Sequence, residues 1–198
     1  AVATTTTVSS SAATSTYGDA VTFTATVSAA SGIPTGTVSF FDGATLLGTD
    51  SVVDSTGVGT ATWSLTTSSL TAGAHAIHAV FTGTPGSFNN STSANITQTV
   101  NQKSLTGNFT VTASKVYDAT TTAVVQTRTL TGVLTGDAAN VTLTGGIATF
   151  DTKDVGINKV VTLVGATLTG TAAGNYSLIS VNTTTANITK AIATVTVT

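Results

Sequence analysis

The sequence predicts an all-β protein of two tandem antiparallel sandwiches, and three observations carry that prediction. About a quarter of the chain is Thr, a β-branched residue that favours the pleated, half-buried surface of a strand. Apolar and polar residues alternate through most of the chain, the period that points every second side chain to one face. Gly, Pro, Asn and Asp recur at short intervals, as short strands joined by turns require. Glu and Met are absent and Lys, Arg and Leu are sparse, so the strong helix formers are missing.

Each half supplies its own strands. Val21–Val27 alternates Val, Phe, Ala and Val with Thr, and the same period runs through Ala61–Leu65 and Ile77–Phe81, which places Trp63 among core residues. Turn signals separate these runs at Ser31–Pro34, Asp42-Gly43, Ser55–Gly57, Ala72-Gly73 and Pro85-Gly86. The Asp42-Gly43 pair predicts a tight hairpin. In the second half the candidate strands are Phe109–Ala113, Val124–Leu130, Val141–Thr144, Lys159–Val164 and Tyr176–Val181. Turns are expected there at Gly136-Asp137, Gly145-Gly146 and Gly174-Asn175.

An internal echo sets the boundaries. Thr92-Ser93-Ala94-Asn95-Ile96-Thr97-Gln98 returns as Thr184-Thr185-Ala186-Asn187-Ile188-Thr189-Lys190, 92 residues on from Asn95 to Asn187. A similar restart follows each copy, at Lys103–Thr112 and at Lys190–Thr198. The domains are therefore expected at 1–101 and 102–198, with 191–198 as the start of a further repeat or a strand that pairs with a neighbour. The join near Asn101–Lys103 is too short for a flexible spacer, and the spacing is that of an array.

Composition narrows the function. Only 7% of residues are charged, the net charge is −2, and Lys and Arg form no cluster. Nucleic-acid binding, which needs phosphate neutralisation, is not expected. No apolar run approaches the roughly 20 residues of a membrane-spanning helix. No leader peptide stands at Ala1, so the chain reads as mature or as a segment of something longer. Cys is absent, which removes a staple that secreted β domains often use. A chain poor in charge and in oxidisable side chains suits an extracellular place, on a bacterial cell surface or secreted.

A family likeness rests on particular residues. Residues 1–101 resemble the bacterial Ig-like repeats of large surface proteins through Tyr17–Ala25, Pro34–Phe40, Leu70–Ile77 and Asn89–Thr92. Residues 102–198 resemble the YDG-type repeat of large bacterial adhesins. The matching positions are Lys115, Tyr117-Asp118, Gly136-Asp137, Phe150, Lys153–Gly156, Lys159, Asn175-Tyr176 and Thr185–Ile188. The resemblance implies two tandem Ig-like sandwiches that act as stalk or spacer modules, with no catalytic residue and no cofactor. One position departs from the pattern. The namesake glycine is Ala119, which predicts against a positive φ there, because a Cβ tolerates that conformation poorly.

The stretch Lys115-Val116-Tyr117-Asp118 gathers a cation, an aromatic and an anion in a nearly chargeless chain. Lys159 shares strand parity with Val161 and Leu163, which aims its stem toward the core, where desolvation disfavours the charged form. Beside Asp118, with Asp154 or Asp137 as helper, Lys159 has the makings of an intramolecular isopeptide crosslink. The plainer alternative, which the sequence favours, is a salt bridge, with Tyr117 packed at the core edge and Asp118 holding a turn.

Other candidate chemistry is weaker. His75 and His78 lie three apart in one strand and so face opposite sides, with His75 expected at the core edge. Asp151 with Asp154, and Asp50 with Asp54, bring carboxylates together in loops. Calcium takes six to eight oxygens, so turn-forming Asp is the expectation and no metal site is assigned. Triplets such as Asn90-Ser91-Thr92 and Asn108-Phe109-Thr110 match the glycosylation pattern, as a Thr-rich chain does by chance. With no Glu and no nucleophile or phosphate-binding motif, an enzyme is not expected.

The expected function is a non-catalytic stalk, spacer or filament module of a bacterial extracellular surface or adhesin protein. Its partners would be neighbouring domains of the same chain or further copies of itself. Thr194, Val195, Thr196 and Val197 form a candidate strand-exchange segment that would cover an open sheet edge. The competing class is a binding surface for a glycan, a host surface or ice. Repeated Thr-x-Thr serves ice only as aligned ranks on a flat face, whereas sandwich sheets twist.

Overall fold

The computed structural model describes residues 1–194. The chain is all-β and divides into two compact units, Ala1–Gln102 and Lys103–Thr198. Among the described residues, helix is confined to two 3-10 turns, Thr135–Asp137 and Ala173–Asn175. No helix among the described residues is long and apolar enough to cross a membrane.

The first unit runs β1 Thr4–Ser10, β2 Thr14–Thr16, β3 Val21–Ala29, β4 Gly36–Asp42, β5 Thr45–Asp50, β6 Ser55–Gly57, β7 Thr60–Thr67, β8 Gly73–Gly83, β9 Ser91–Thr92 and β10 Ile96–Asn101. One sheet is ordered β1-β3-β7-β6 and the other β2-β10-β8-β4-β5, with β9 on β8. The predicted alternation is realised: β3 buries Val21, Phe23, Ala25 and Val27 and turns its Thr residues outward. Trp63, Phe23, Phe40, Phe81 and Ile77 are all wholly buried between the sheets. Each such side chain stabilises by about 1.5–3 kcal/mol. The Trp63 and Phe81 rings meet at 5.3 Å, and the indole N–H of Trp63 has no hydrogen-bond partner among the described residues. The Asp42-Gly43 hairpin forms as expected, with Asp42 opposite Thr45.

The sheets are not purely antiparallel. β1 pairs antiparallel with β3, then the chain crosses to the other sheet, where β2 runs parallel to β10. Gln98, wholly buried, pins this crossing. Its Oε1 accepts from the Ser10 hydroxyl at 2.7 Å, and its Nε2 donates at 3.3 Å to the Ser15 hydroxyl and the Thr99 carbonyl. A buried amide without partners would cost about 1–3 kcal/mol, so the two hydroxyls that flank the crossing make it the favoured path.

The second unit runs β11 Lys103–Val111, β12 Ser114–Val116, β13 Val125–Thr131, β14 Thr142–Phe150, β15 Gly156–Thr169, β16 Tyr176–Val181 and β17 Thr184–Thr189. Its sheets are β13-β11-β16 and β12-β17-β15-β14. The opening strand is central here: β11 lies antiparallel to β13 and parallel to β16, while β12 runs parallel to β17. One buried cluster holds Phe109, Ala148, Phe150, Val161, Leu163, Ala186 and Ile188, and Leu105, Val141, Leu143, Ala172 and Tyr176 are buried beside it, so the core is less aromatic than that of the first unit.

Gly145-Gly146 is not the expected turn. Both glycines lie inside β14, at φ of +67° and +80°, and the ladder to β15 continues from Gly145↔Ala166 to Ile147↔Val164. A Cβ on Gly146 would sit 2.8 Å from Leu163 Cδ1, so its absence lets Leu163 enter the core. Charge is divided as unevenly as the cores. All six Lys and Arg fall in the second unit, which carries +2 (6 − 4), while the first has four Asp and carries −4.

Candidate functional site

The charged motif of the second unit closes a loop. Lys115, in β12, stands opposite Ile188 of β17, so strand parity turns its stem toward the core. Its ammonium passes 5.8 Å from the centre of the Phe150 ring and reaches the loop that follows β12. There it donates to the Thr120 carbonyl (3.0 Å), the Thr120 hydroxyl (2.9 Å) and the Thr122 carbonyl (3.1 Å), and it pairs with Asp118 Oδ1 at 2.7 Å. The same Asp118 oxygen accepts from the backbone N–H and the hydroxyl of Thr120. Lys115 foremost, then the Thr120 N–H and hydroxyl, lower the Asp118 carboxyl to about 2.

Two expectations are corrected here. Ala119 does adopt a left-handed backbone, φ +64°, at a cost of about 1–2 kcal/mol for a residue with a Cβ. The bonds that flank it from Lys115 and Asp118 impose the conformation. Tyr117 is exposed rather than packed at the core edge; the anchored group of the motif is the lysine, and Asp118 holds its turn as expected.

Lys159 builds a second closure. Its stem points inward, opposite Ala186, as parity predicts. Its ammonium does not reach Asp118: it donates to the Thr152 hydroxyl at 2.6 Å and pairs with Asp151 Oδ1 at 3.0 Å. The Lys159 hydrogen bond, then the Thr152 N–H, lowers the Asp151 carboxyl. Gly156 lies against the lysine stem, where a Cβ would stand 3.2 Å from Lys159 Cδ. Asn158, at φ +52°, donates its N–H to Asn187 Oδ1 at 2.8 Å and closes the irregularity between Gly156 and Lys159.

The remaining candidate carboxylates stand elsewhere. Asp137 Oδ2 accepts from the hydroxyl of buried Tyr176 at 2.7 Å, and that hydroxyl accepts from the Leu134 N–H at 3.1 Å, which fixes the 3-10 turn Thr135–Asp137. Asp154 receives no ion pair among the described residues and donates its N–H to the Thr152 hydroxyl. Lys159, Asp118, Asp137 and Asp154 thus serve different contacts. The two close Lys–Asp pairs, Lys115–Asp118 and Lys159–Asp151, are poorly suited to amide formation, which needs a neutral amine and a protonated carboxyl, because both carboxyls are held below their ordinary value. Asp118 stays ionised down to about pH 2.

In the first unit His75 is the notable ionisable group. Its Nδ1 lies 2.7 Å from Asp42 Oδ2 and its Nε2 2.8 Å from the Thr71 carbonyl. Both ring nitrogens face acceptors, an arrangement only the imidazolium satisfies fully. Burial lowers its pKa, but the hydrogen bonds it donates to Asp42 and to the Thr71 carbonyl, with the Asp42 charge, outweigh it and raise the value above 6.5. No lone pair remains free for a general base. His78 stacks instead on Phe41 at 5.2 Å, on the outer face.

Asp50 and Asp54 are turn formers that converge on Ser64: Asp50 accepts its N–H and Asp54 its hydroxyl. Among the described residues no three His, Cys, Asp or Glu gather as metal ligands. The cavity beside Lys115, lined by Thr112, Ser114, Thr122, Ala123, Val124 and Phe150, holds about 100 Å³, well below the 300–1,000 Å³ or so of small-molecule sites. Thr194 is exposed and outside any strand, while Val195, Thr196 and Val197 lie outside the described residues.

Sequence reasoning named Lys159 and Asp118 but paired them with each other. The Lys115–Asp118 partnership was readable from the three-residue spacing across a turn. The Asp151–Lys159 pairing needed the length of the β14–β15 connection.

Residues 6–101 match the bacterial Ig-like domain (group 3), and residues 101–187 match the YDG domain. No curated protein matches the chain closely enough to count as a relative.

Proposed function

We propose, on the premise that the chain carries a bacterial Ig-like domain followed by a YDG domain, that it is a non-catalytic spacer or stalk segment of an extracellular bacterial surface protein of adhesin type. The observation that supports this reading is where the reactive side chains go. Lys115, Lys159, Asp118, Asp137 and His75 are engaged in holding their own loops and turns. Loops fixed in this way suit a module that sets distance more than one that binds or converts a ligand.

The test replaces both domains, in the surface protein that carries them, with an unrelated pair of sandwich domains of matching residue count. Unchanged cell adhesion with unchanged display supports the spacer reading. Adhesion lost while display persists overturns it. Self-association through Thr194, Val195, Thr196 and Val197 belongs to the same proposal. Deleting 191–198 should then remove the higher-order species seen in sedimentation, and a chain that is monomeric at every concentration tested would rule the joint out.

A further inference from the structure

The outer face of the β1-β3-β7-β6 sheet is a net of hydroxyls. Register sets Thr7, Thr26 and Thr62 in one cross-strand rank and Ser9, Thr24 and Ser64 in the next, and the flanking ranks hold only Ser, Thr and Gly. No register shift interrupts any pair of this sheet, so the ranks stay aligned from strand to strand. Neighbours stand about 4.8 Å apart across the strands and about 6.8 Å along them. Within these ranks the outward side chains end in a hydroxyl or a methyl, with no charge, amide or ring among them. Two carboxylates stand at the β6 margin, where Asp54 accepts the Ser64 hydroxyl and Asp50 the Ser64 N–H.

Some hydroxyls bond one another, Ser55 with Thr62 at 2.8 Å and Thr22 with Thr66 at 2.7 Å. A hydroxyl carries one donor and two acceptor positions, so such a bond leaves capacity directed outward. Thr-rich composition alone does not produce this face. The outer face of the opposite sheet carries the Phe41–His78 stack and exposed Leu46. In the second unit the outer face of β14 and β15 exposes Ile147, Val160 and Val164.

We propose that this face binds ice. A ligand that fits it must present a periodic, uncharged net of hydrogen-bond donors and acceptors. Protein partners are usually anchored by aromatic or Arg side chains, and sugars stack on ring faces; the face supplies neither. In an ice lattice each Thr hydroxyl replaces a lattice water, and each methyl seats in the open space between lattice rings. Sheet twist of about 20–25° per strand confines the contact to the ranks through Thr24 and Thr26 on β3. This reading goes beyond the spacer role and does not depend on it.

The test grows ice slowly from a solution of the full chain and measures how much protein enters the ice, with thermal hysteresis read in parallel. Wild type should enter the ice well above an ice-inert control protein. Thr26→Tyr, which lifts a ring out of the central rank, should reduce entry to the control level, while Thr97→Tyr on the opposite sheet should leave it unchanged. Trp63 fluorescence confirms that each variant is folded; if Thr26→Tyr fails to fold, Thr7→Tyr on β1 replaces it. No entry by wild type overturns the proposal, as does equal loss in the Thr26 and Thr97 variants. Binding to microcrystalline cellulose or chitin with the same sensitivity at Thr26 assigns the face to a polysaccharide and also overturns it.

Discussion

In the first unit five large side chains, Trp63, Phe23, Phe40, Phe81 and Ile77, are sealed between the sheets, and Lys and Arg are absent. In the second the clustered core is two phenylalanines with aliphatic neighbours, and Lys115, Lys159 and Tyr176 reach from the frame into the connecting loops. The difference is one of where stability resides. The aromatic core of the first unit holds its sheets together chiefly by burial, with Gln98 and the His75–Asp42 pair as its polar fastenings. The less aromatic core of the second unit gains from polar groups that fix its connections, and the chain concentrates its few cations there.

The largest expected effect tests the aromatic side of this contrast. Phe81→Ala should cost the first unit about 3–5 kcal/mol. Chemical denaturation followed by Trp63, the single Trp of the chain, reports that unit specifically. A loss of less than about 1.5 kcal/mol would mean that the core closes around the gap and is not the unit's main support. Next comes the cationic side. Lys115→Met keeps the stem and removes the ammonium, and the second unit should lose about 1–2 kcal/mol while the Trp63 transition stays in place. An unchanged second-unit melting temperature would leave the lysine closure without energetic weight.

A gain is expected at Ala119. Ala119→Gly relieves the left-handed strain but loosens the unfolded chain, for a net stabilisation of about 0.5–1 kcal/mol, measured by thermal melting of the second unit. Destabilisation would show that the strain is smaller than the φ implies.

The smallest effects are those of pH, and they run in opposite directions. Asp118 has its carboxyl lowered from 3.8 to about 2, and Asp151 is lowered as well, so their contribution is full above pH 4 and fades as pH falls toward 2. His75 is raised above 6.5, so its pairing with Asp42 contributes fully below that value and fades as pH rises through the raised one. Acid should weaken the second unit through these groups, and a rise past neutrality the first. Parallel pH profiles for the two melting transitions would break the contrast.

Much of this was legible in the sequence because strand periodicity records which face is buried. Val21–Val27, Ala61–Leu65 and Ile77–Phe81 lie in β3, β7 and β8 with the predicted residues inside. Gly145-Gly146 misled because a pair of glycines marks positive φ without saying whether the chain turns or continues in a ladder. Lys159 was aimed correctly, since parity is a local property, but its partner depends on which loop folds over it. The buried Gln98 at the strand crossing left no sequence signal, because its role exists only once two sheets share one strand's continuation. Ala119 shows the converse limit: its own preference pointed away from positive φ, and neighbouring bonds overrode it.

In both units an early strand lies parallel to the final one, β2 beside β10 and β12 beside β17. Backbone bonds tie each pair at both ends, from Thr99 N–H to the Ala13 carbonyl and Tyr17 N–H to Asn101, and from Asn187 N–H to Ala113 and Tyr117 N–H to Thr189. A chain drawn taut through such a pair slides one strand along the other and loads its bonds together, where an antiparallel pair would peel open one bond at a time. Tension that enters at β2 and leaves through β10, or enters at β12 and leaves through β17, therefore loads these pairs in shear, the direction in which so short a ladder resists best.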